Sequence, residues 1–246
     1  MYPILFSIGN IRIYNHGLLM VIGAVVGATL IYLLAKKQQY DANLIFDLLT
    51  YSFLGGLVGA RLVYVLIYFH QFSSFREIFF IWSGGLVSYG GMIGGLLTAY
   101  FILKKKGENL YLWFDIGVIG MLVGWGIGRI GCLLNGDSFG ISSNAKIAIW
   151  GRIPTQLFET IWTILVAIGL YFVLKNRKRF SFSEGMVFWL GIATYSLGRF
   201  IIDFWREETI FLINLKLGQI GSLIIFIICL LMMYRLVKNL KELVWS

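Results

Sequence analysis

Residues 113–133, WFDIGVIGMLVGWGIGRIGCL, decide the fold because they form an apolar run long enough to cross a membrane. A transmembrane helix needs about 20 predominantly apolar residues, and the charged residues of this run are Asp115 and Arg129. We interpret Asp115, near the start of the run, as a structural contact. An uncompensated charge in hydrocarbon costs about 2.5 kcal/mol or more. Arg129 therefore needs a partner or a ligand.

The composition of the whole chain indicates the same class of protein. Of the 246 residues, 59% are hydrophobic and 13% are charged, which is not the profile of a soluble globular domain. The net charge of +9 does not indicate a nucleic-acid partner, because no soluble stretch is present to carry a basic surface. The two cysteines, Cys132 and Cys229, predict free thiols rather than a disulfide framework or a metal site.

Seven apolar segments have the length of a membrane span, at residues 16–35, 46–69, 87–103, 113–133, 156–174, 185–204 and 217–236. Clusters of Lys and Arg follow the odd-numbered segments and contain more than half of the 21 basic residues. Under the positive-inside rule, these clusters lie in the cytoplasm, with the N-terminus outside and the C-terminus inside. The sequence thus predicts an all-α fold, a polytopic bundle of seven transmembrane helices in a single integral-membrane domain, residues 1–246.

Two kinds of glycine-rich stretch stand out along the chain. GGLVGAR (55–61) and GWGIG (124–128) have the small-residue spacing that lets transmembrane helices approach closely. GGLVSYGGMIGG (84–95) predicts a non-helical start to the third span, with Tyr89 facing a water-filled cavity. Before it, residues 70–81 predict a short amphipathic helix on the outer surface, with phenylalanines toward lipid.

Arginines lie at the outer ends of two predicted spans. Arg129 either snorkels or pairs with Asp137, which are structural roles, or it binds a phosphate group. Arg199 and Asp203 lie four residues apart on one helical face, which fits an ion pair, and Arg206 follows about one turn later. An anionic lipid headgroup requires two arginines placed in this way.

Other polar residues have both a structural and a functional interpretation. Gln156 and Glu159 lie one turn apart at the start of the fifth span, where capping by Thr155 and local hydrogen bonds account for them. His16 begins the first span, and it is either a satisfied structural histidine or a proton-transfer group. Arg61, inside the second span, is either paired or lines the same cavity as Tyr89.

Four motifs, together with the start MYPILFSIG, resemble the bacterial prolipoprotein diacylglyceryl transferases over residues 1–236; they are WSGGLVSYGGMIGG (82–95), GRIGCLLNGDSFG (128–140), RIPTQLFE (152–159) and GRFIIDFWRE (198–207). The resemblance implies transfer of a diacylglyceryl group from phosphatidylglycerol to the lipobox cysteine thiol of a preprolipoprotein, with release of glycerol phosphate. It implies an active site at the outer face of the bacterial inner membrane, and no metal or cofactor.

The resemblance also assigns roles by position. Arg129 corresponds to the family's phosphatidylglycerol-binding arginine and Arg199 to its second essential arginine. Further substrate-binding positions are occupied by Asn135, Asp137, Gly140, Gln156, Glu159, Tyr195, Asp203 and Arg206, of which the two aspartates replace a usual glutamate.

Other departures from the family pattern concern the proposed base. Many members have histidine at the position of Tyr89 and tyrosine at that of His16, so the two residues are exchanged here. We therefore predict His16 as the base, with Tyr89 as the alternative. Cys132 and Leu133 stand where the family usually has Asn-Phe, and Cys132 is either a packing residue or a covalent nucleophile.

Two other functions remain open at this point. A transporter or lipid-binding protein would use the same arginines for an anionic substrate, but it should have polar residues through the membrane midplane. Here they gather at the outer end, which favours chemistry on a membrane-embedded lipid. A divergent paralogue with a different acceptor is the other alternative.

Overall fold

The computed structural model describes residues 4–8, 11–72, 74–80, 84–212 and 214–245. In this part of the chain the α-helices are α1 Asn15–Lys37, α2 Ala42–Ile67, α3 Ser88–Lys106, α4 Leu110–Asn135, α5 Thr155–Lys175, α6 Met186–Ile202 and α7 Leu217–Trp245. Two short antiparallel hairpins accompany them, β1 Ile4–Ile8 with β2 Ile11–Tyr14 and β3 Ile210–Leu212 with β4 Leu215–Lys216.

Six of the described helices, all except α3, are long and apolar enough to cross a membrane, α6 together with the 3₁₀ turn Asp203–Trp205 that follows it. The chain is therefore a polytopic helical membrane protein. The third predicted span, residues 87–103, coincides with α3, but the glycines and the three terminal lysines of this helix lower its apolar character. The count of seven spans, the predicted orientation and the single domain stay predictions.

Backbone contacts divide the chain into two compact units, residues 34–110 and residues 1–33 with 111–246. Within the smaller unit, α2 and α3 pack along a seam of glycines. A Cβ atom on Gly59 would overlap the backbone of Gly90 and Gly94, so this approach requires glycine. The close packing predicted for residues 55–61 is confirmed.

In the larger unit, α1 and α4 also pack closely through glycines. Gly23 lies against the backbone of Gly124, and Gly27 against that of Gly120. Near the start of α4, Asp115 is fully buried. It accepts hydrogen bonds from the N–H groups of Gly185 and Phe188, both at 2.8 Å. Since the first N–H groups of a helix have no partner within it, Asp115 caps α6. The structural role predicted for Asp115 is thus confirmed.

The described part of segment 70–81, residues 70–72 and 74–80, does not form the predicted amphipathic helix. Two short 3₁₀ helices, Phe69–Gln71 and Phe75–Phe79, replace it. The physical reason is Arg61, whose buried guanidinium donates hydrogen bonds to the carbonyl groups of Glu77 and Ile78, both at 2.7 Å. The carbonyl of Glu77 is bound both by Arg61 and by the N–H of Phe80, which closes the second 3₁₀ helix. Arg61 therefore has hydrogen-bond partners within the protein, as its structural interpretation predicts.

The predicted non-helical start of the third span is confirmed for residues 84–87, whereas residues 88–95 of the same glycine-rich stretch are helical. Residues 84–87 precede α3, and the φ angles of Gly84 and Gly85 are 88° and 78°, a region that favours glycine. The carbonyl groups of both glycines accept from Arg61, at 2.7 and 3.1 Å. Tyr89 is the second residue of α3, but its side chain lies outside the described residues, so the cavity prediction is not tested.

Candidate active site

Glu159, on the second turn of α5, binds three arginine side chains in the larger unit. Its Oε1 atom lies 2.9 Å from Nη1 of Arg199 and also pairs with Nη2 of Arg206, while its Oε2 atom pairs with Nε of Arg129. The Glu159 side chain is 2% exposed. We call these four residues, together with Asp203, the arginine cluster.

Asp203 is the second acidic member of the cluster, and its side chain is 0% exposed. Its Oδ1 atom lies 2.9 Å from Nε of Arg206, and its Oδ2 atom lies 3.5 Å from Nε of Arg199. The ion pair predicted from the spacing of Arg199 and Asp203 is thus present. Buried charges are tolerated when they are paired, and each carboxylate here has at least two cationic partners. Of the carboxylate oxygens, Oε1 of Glu159 also accepts hydrogen bonds, from Arg199 and Arg206.

The three guanidinium groups differ in their access to the surroundings. Arg206 is 3% exposed and is an internal member, whereas Arg129 is 10% and Arg199 is 19% exposed. The guanidinium carbon of Arg129 lies 5.1 Å from the centre of the Trp125 ring, a cation–π distance. Tyr195 packs edge-on against the same ring, at 6.5 Å between centroids. Arg129 and Arg199 are therefore the members that a ligand can reach.

The segment that carries Arg206 is held in place by main-chain contacts. Gly140 forms an antiparallel bridge with Arg206, and a Cβ atom on Gly140 would overlap the carbonyl groups of Trp205 and Ile153. The Lys216 ammonium group donates to the carbonyl groups of Asp203, Phe204 and Arg206. Gly140 thus permits a close approach between two loops, and Lys216 fixes one of them.

Asn135, Asp137 and Gln156 connect the end of α4 to the start of α5. The Asn135 amide donates to the Asp137 carboxylate, and the Gln156 amide donates to the main-chain carbonyl of Asp137. Thr155 donates from Oγ1 to the Ser138 carbonyl at 2.9 Å, so it ties this loop to α5 and is not the helix cap that its position suggests.

The prediction that Arg129 pairs with Asp137 is wrong. Its ion pair is with Glu159 rather than Asp137, because Asp137 is oriented by Asn135 and lies on the exposed side of the loop. Glu159, by contrast, points from α5 into the buried space next to α4. Local hydrogen bonding at the helix start therefore does not account for Glu159.

His16 lies close to Arg129 through a shared neighbour. Nδ1 of His16 is 3.7 Å from Sγ of Cys132, and this sulfur atom is 3.8 Å from Nη1 of Arg129. Both cysteines are free thiols, as predicted. Within the described residues, no group of three or more His, Cys, Asp or Glu side chains has the arrangement of a metal site.

Two residues of the site were not expected from the sequence. Trp125 looks like an ordinary apolar residue of a span, and nothing in its local pattern indicates a guanidinium partner. Lys216 did carry a signal, because a lysine in the predicted external segment 205–216 departs from the positive-inside pattern. Its contacts with three carbonyl groups explain that departure.

The chain is similar to known proteins over almost its full length. The sequence model of the prolipoprotein diacylglyceryl transferase family matches residues 3–235. Phosphatidylglycerol–prolipoprotein diacylglyceryl transferase 1 of Clostridium perfringens is 32% identical, with 98% of this chain and 97% of the relative covered. The transferase of Clostridium botulinum strain Loch Maree is 31% identical over 98% and 100%. That of Trichormus variabilis is 32% identical over 90% and 84%.

Proposed function

The chain belongs to the prolipoprotein diacylglyceryl transferase family and transfers a diacylglyceryl group from phosphatidylglycerol to prolipoproteins, and we propose that it does so at the arginine cluster. The observation that carries this proposal is the convergence of Arg129, Arg199 and Arg206 on the buried Glu159 carboxylate. The acceptor is the lipobox cysteine thiol, and the reaction is the first step of lipoprotein maturation. The predicted topology puts the cluster at the outer face of the bacterial inner membrane.

The chemistry explains why arginines are needed. The thiolate sulfur attacks the glyceryl CH₂ carbon, so that a carbon–sulfur bond forms while the bond from this carbon to the phosphate oxygen breaks. Glycerol phosphate leaves with the electron pair and gains one negative charge. Arg129 and Arg199 bind the phosphate and stabilise that charge as it develops, which preorganised donors in a low-dielectric site do effectively. Arginine suits this role because its planar guanidinium is always charged.

His16 accepts the proton of the incoming thiol, because the thiolate is the nucleophile. The short path from His16 through Cys132 to Arg129 supports this assignment. Tyr89 is the alternative base. Cys132 is a neighbour of both groups and is not needed as a covalent nucleophile, since direct transfer accounts for the product.

The other positions form the surroundings of the substrates. Asp203 and Arg206 hold Arg199 and Glu159 in place, and Tyr195 packs beside Trp125 next to the lipid phosphate. Asn135, Asp137, Gly140 and Gln156 shape the loop 134–155. Together with residues 205–216, this loop contacts the peptide acceptor.

Replacing His16 with alanine should lower the transfer rate far more than replacing Tyr89 with phenylalanine. The loss should be about 100-fold or more for His16→Ala, as for removal of a general base, and only a few-fold for Tyr89→Phe. Initial rates with a lipobox peptide and vesicles containing phosphatidylglycerol measure both. Near-normal turnover of His16→Ala would rule out His16 as the base.

A transfer assay with purified protein tests the proposed function. Protein, phosphatidylglycerol and a lipobox peptide are incubated, and the peptide mass is followed. We expect a gain of one diacylglyceryl unit, which disappears when the peptide cysteine is replaced by serine or the vesicles contain only phosphatidylcholine. An unchanged peptide mass with phosphatidylglycerol still bound to the protein would contradict the proposal.

A further inference from the structure

The charges of the arginine cluster do not cancel. Three guanidinium groups face two carboxylates, those of Glu159 and Asp203, so one positive charge is left over. Glu208 and Lys216 stand next to the cluster and carry opposite charges. Glu208 lies 3.7 Å from Arg206, and Lys216 binds the adjacent carbonyl groups. Including both leaves the balance at +1.

The cluster is also buried, so its net charge has a large effect on the free energy of ligand binding. The side chains of Glu159 and Asp203 are 2% and 0% exposed, so solvent screens their charges little. A ligand that brings one negative charge makes the occupied cluster neutral. A ligand that brings two leaves an excess negative charge, which is costly in a site of low dielectric constant.

We propose that Glu159 and Asp203 set the arginine cluster to accept a monoanionic phosphodiester and to expel a dianionic phosphomonoester. This inference rests on the proposed function, in which the substrate is such a diester and the product such a monoester. Phosphate monoesters carry close to two negative charges at neutral pH. The acidic members thus act as specificity-determining residues, because they limit how much negative charge the arginines can hold. While the bond to phosphate breaks, the proton that His16 accepts next to Arg129 balances the second negative charge. Once His16 releases that proton, the negative charge of the dianionic product is in excess, and the product leaves.

Glu159 is the residue to test, because its carboxylate forms ion pairs with all three arginines. Removing its charge raises the balance to +2, which suits the dianion. The probes are glycerophosphoglycerol, the monoanionic deacylated headgroup, and glycerol phosphate, both used as inhibitors of transfer at neutral pH. The proteins compared are the unmodified chain, Glu159→Gln, and Glu184→Gln as the matched control. Glu184 pairs with Arg177 at 3.6 Å and lies outside the cluster.

In the unmodified protein, the diester should inhibit at a concentration about tenfold lower than the monoester. In Glu159→Gln, inhibition by glycerol phosphate should strengthen about tenfold or more, which removes or reverses that preference. Glu184→Gln should keep the preference of the unmodified protein.

Two results would overturn the proposal. One is equal or stronger inhibition by glycerol phosphate in the unmodified protein, a comparison that needs no variant and therefore stands if Glu159→Gln does not fold. The other is an unchanged preference in a folded Glu159→Gln protein. Failure of the proposed function looks different: neither compound inhibits, and Arg129→Ala remains active, which removes both proposals together.

Discussion

Replacing Arg129 with alanine is expected to lower the rate of diacylglyceryl transfer by about 100- to 1,000-fold, as the loss of a preorganised donor to a developing oxyanion does. Arg129 combines partial exposure with an ion pair to Glu159 and a stacked Trp125 ring. Its guanidinium is thus held before the lipid arrives, and no reorganisation is needed during the reaction. Initial rates in the peptide transfer assay measure the loss.

Two further variants separate the role of charge from that of geometry. Arg129→Lys keeps the positive charge but loses the planar fork, so it should recover only part of the activity. Arg179→Ala removes an exposed arginine from the basic segment after α5 and should leave the rate near that of the unmodified protein. Turnover of Arg129→Ala within a few-fold of normal would show that Arg129 does not bind the reacting phosphate.

Replacing Arg206 with alanine is expected to lower the free energy of unfolding by about 3 kcal/mol or more, because breaking a buried ion pair leaves uncompensated charge. Arg206 is 3% exposed and pairs with both Glu159 and Asp203. Its removal takes a cation from two buried carboxylates, while the main-chain bridge to Gly140 is available to alanine as well. Unfolding of the purified protein by a denaturing detergent measures the change.

The exposed pair of Arg152 and Glu207 provides the control for this measurement. Its side chains are 34% and 55% exposed, and such surface pairs contribute about 0–1 kcal/mol. Arg152→Ala should therefore unfold almost as the unmodified protein does. If the two arginine variants lose the same stability, burial of the Arg206 pairs does not stabilise the fold.

The helices were largely predictable, because apolar runs of sufficient length are a direct consequence of membrane solvation. Six of the predicted segments correspond to helices that can span a membrane. The loop before α3 was not predictable from local pattern. There the phenylalanine spacing suggested an amphipathic helix, but Arg61 binds the carbonyl groups of Glu77 and Ile78 from another helix. Such a contact between distant residues leaves no local periodicity.

All five members of the arginine cluster were singled out from the sequence, but their arrangement was not predicted, and Trp125 and Lys216 were missed. The spacing of Arg199 and Asp203 revealed their pair, since four residues make one helical turn. The pairing of Arg129 with Glu159 joins α4 to α5 across a loop, and no spacing rule reaches that far. Because Glu159 lies one turn after Gln156, its position suggested local hydrogen bonding at the start of the helix. The packing of α4, α5 and α6 instead places it at the centre of the arginine cluster.

Glu159 also bears on how this enzyme could be inhibited by small molecules. A carboxylate attached to α5 and already seated among the guanidinium groups acts as a tethered ligand with a high effective concentration. A drug-like compound that must displace Glu159 from these arginines only exchanges one anion for another and gains little binding energy. We expect a singly charged phosphonate ester to bind beside Glu159 through Arg129 and Arg199 without displacing it, which would make such esters the better chemical starting point.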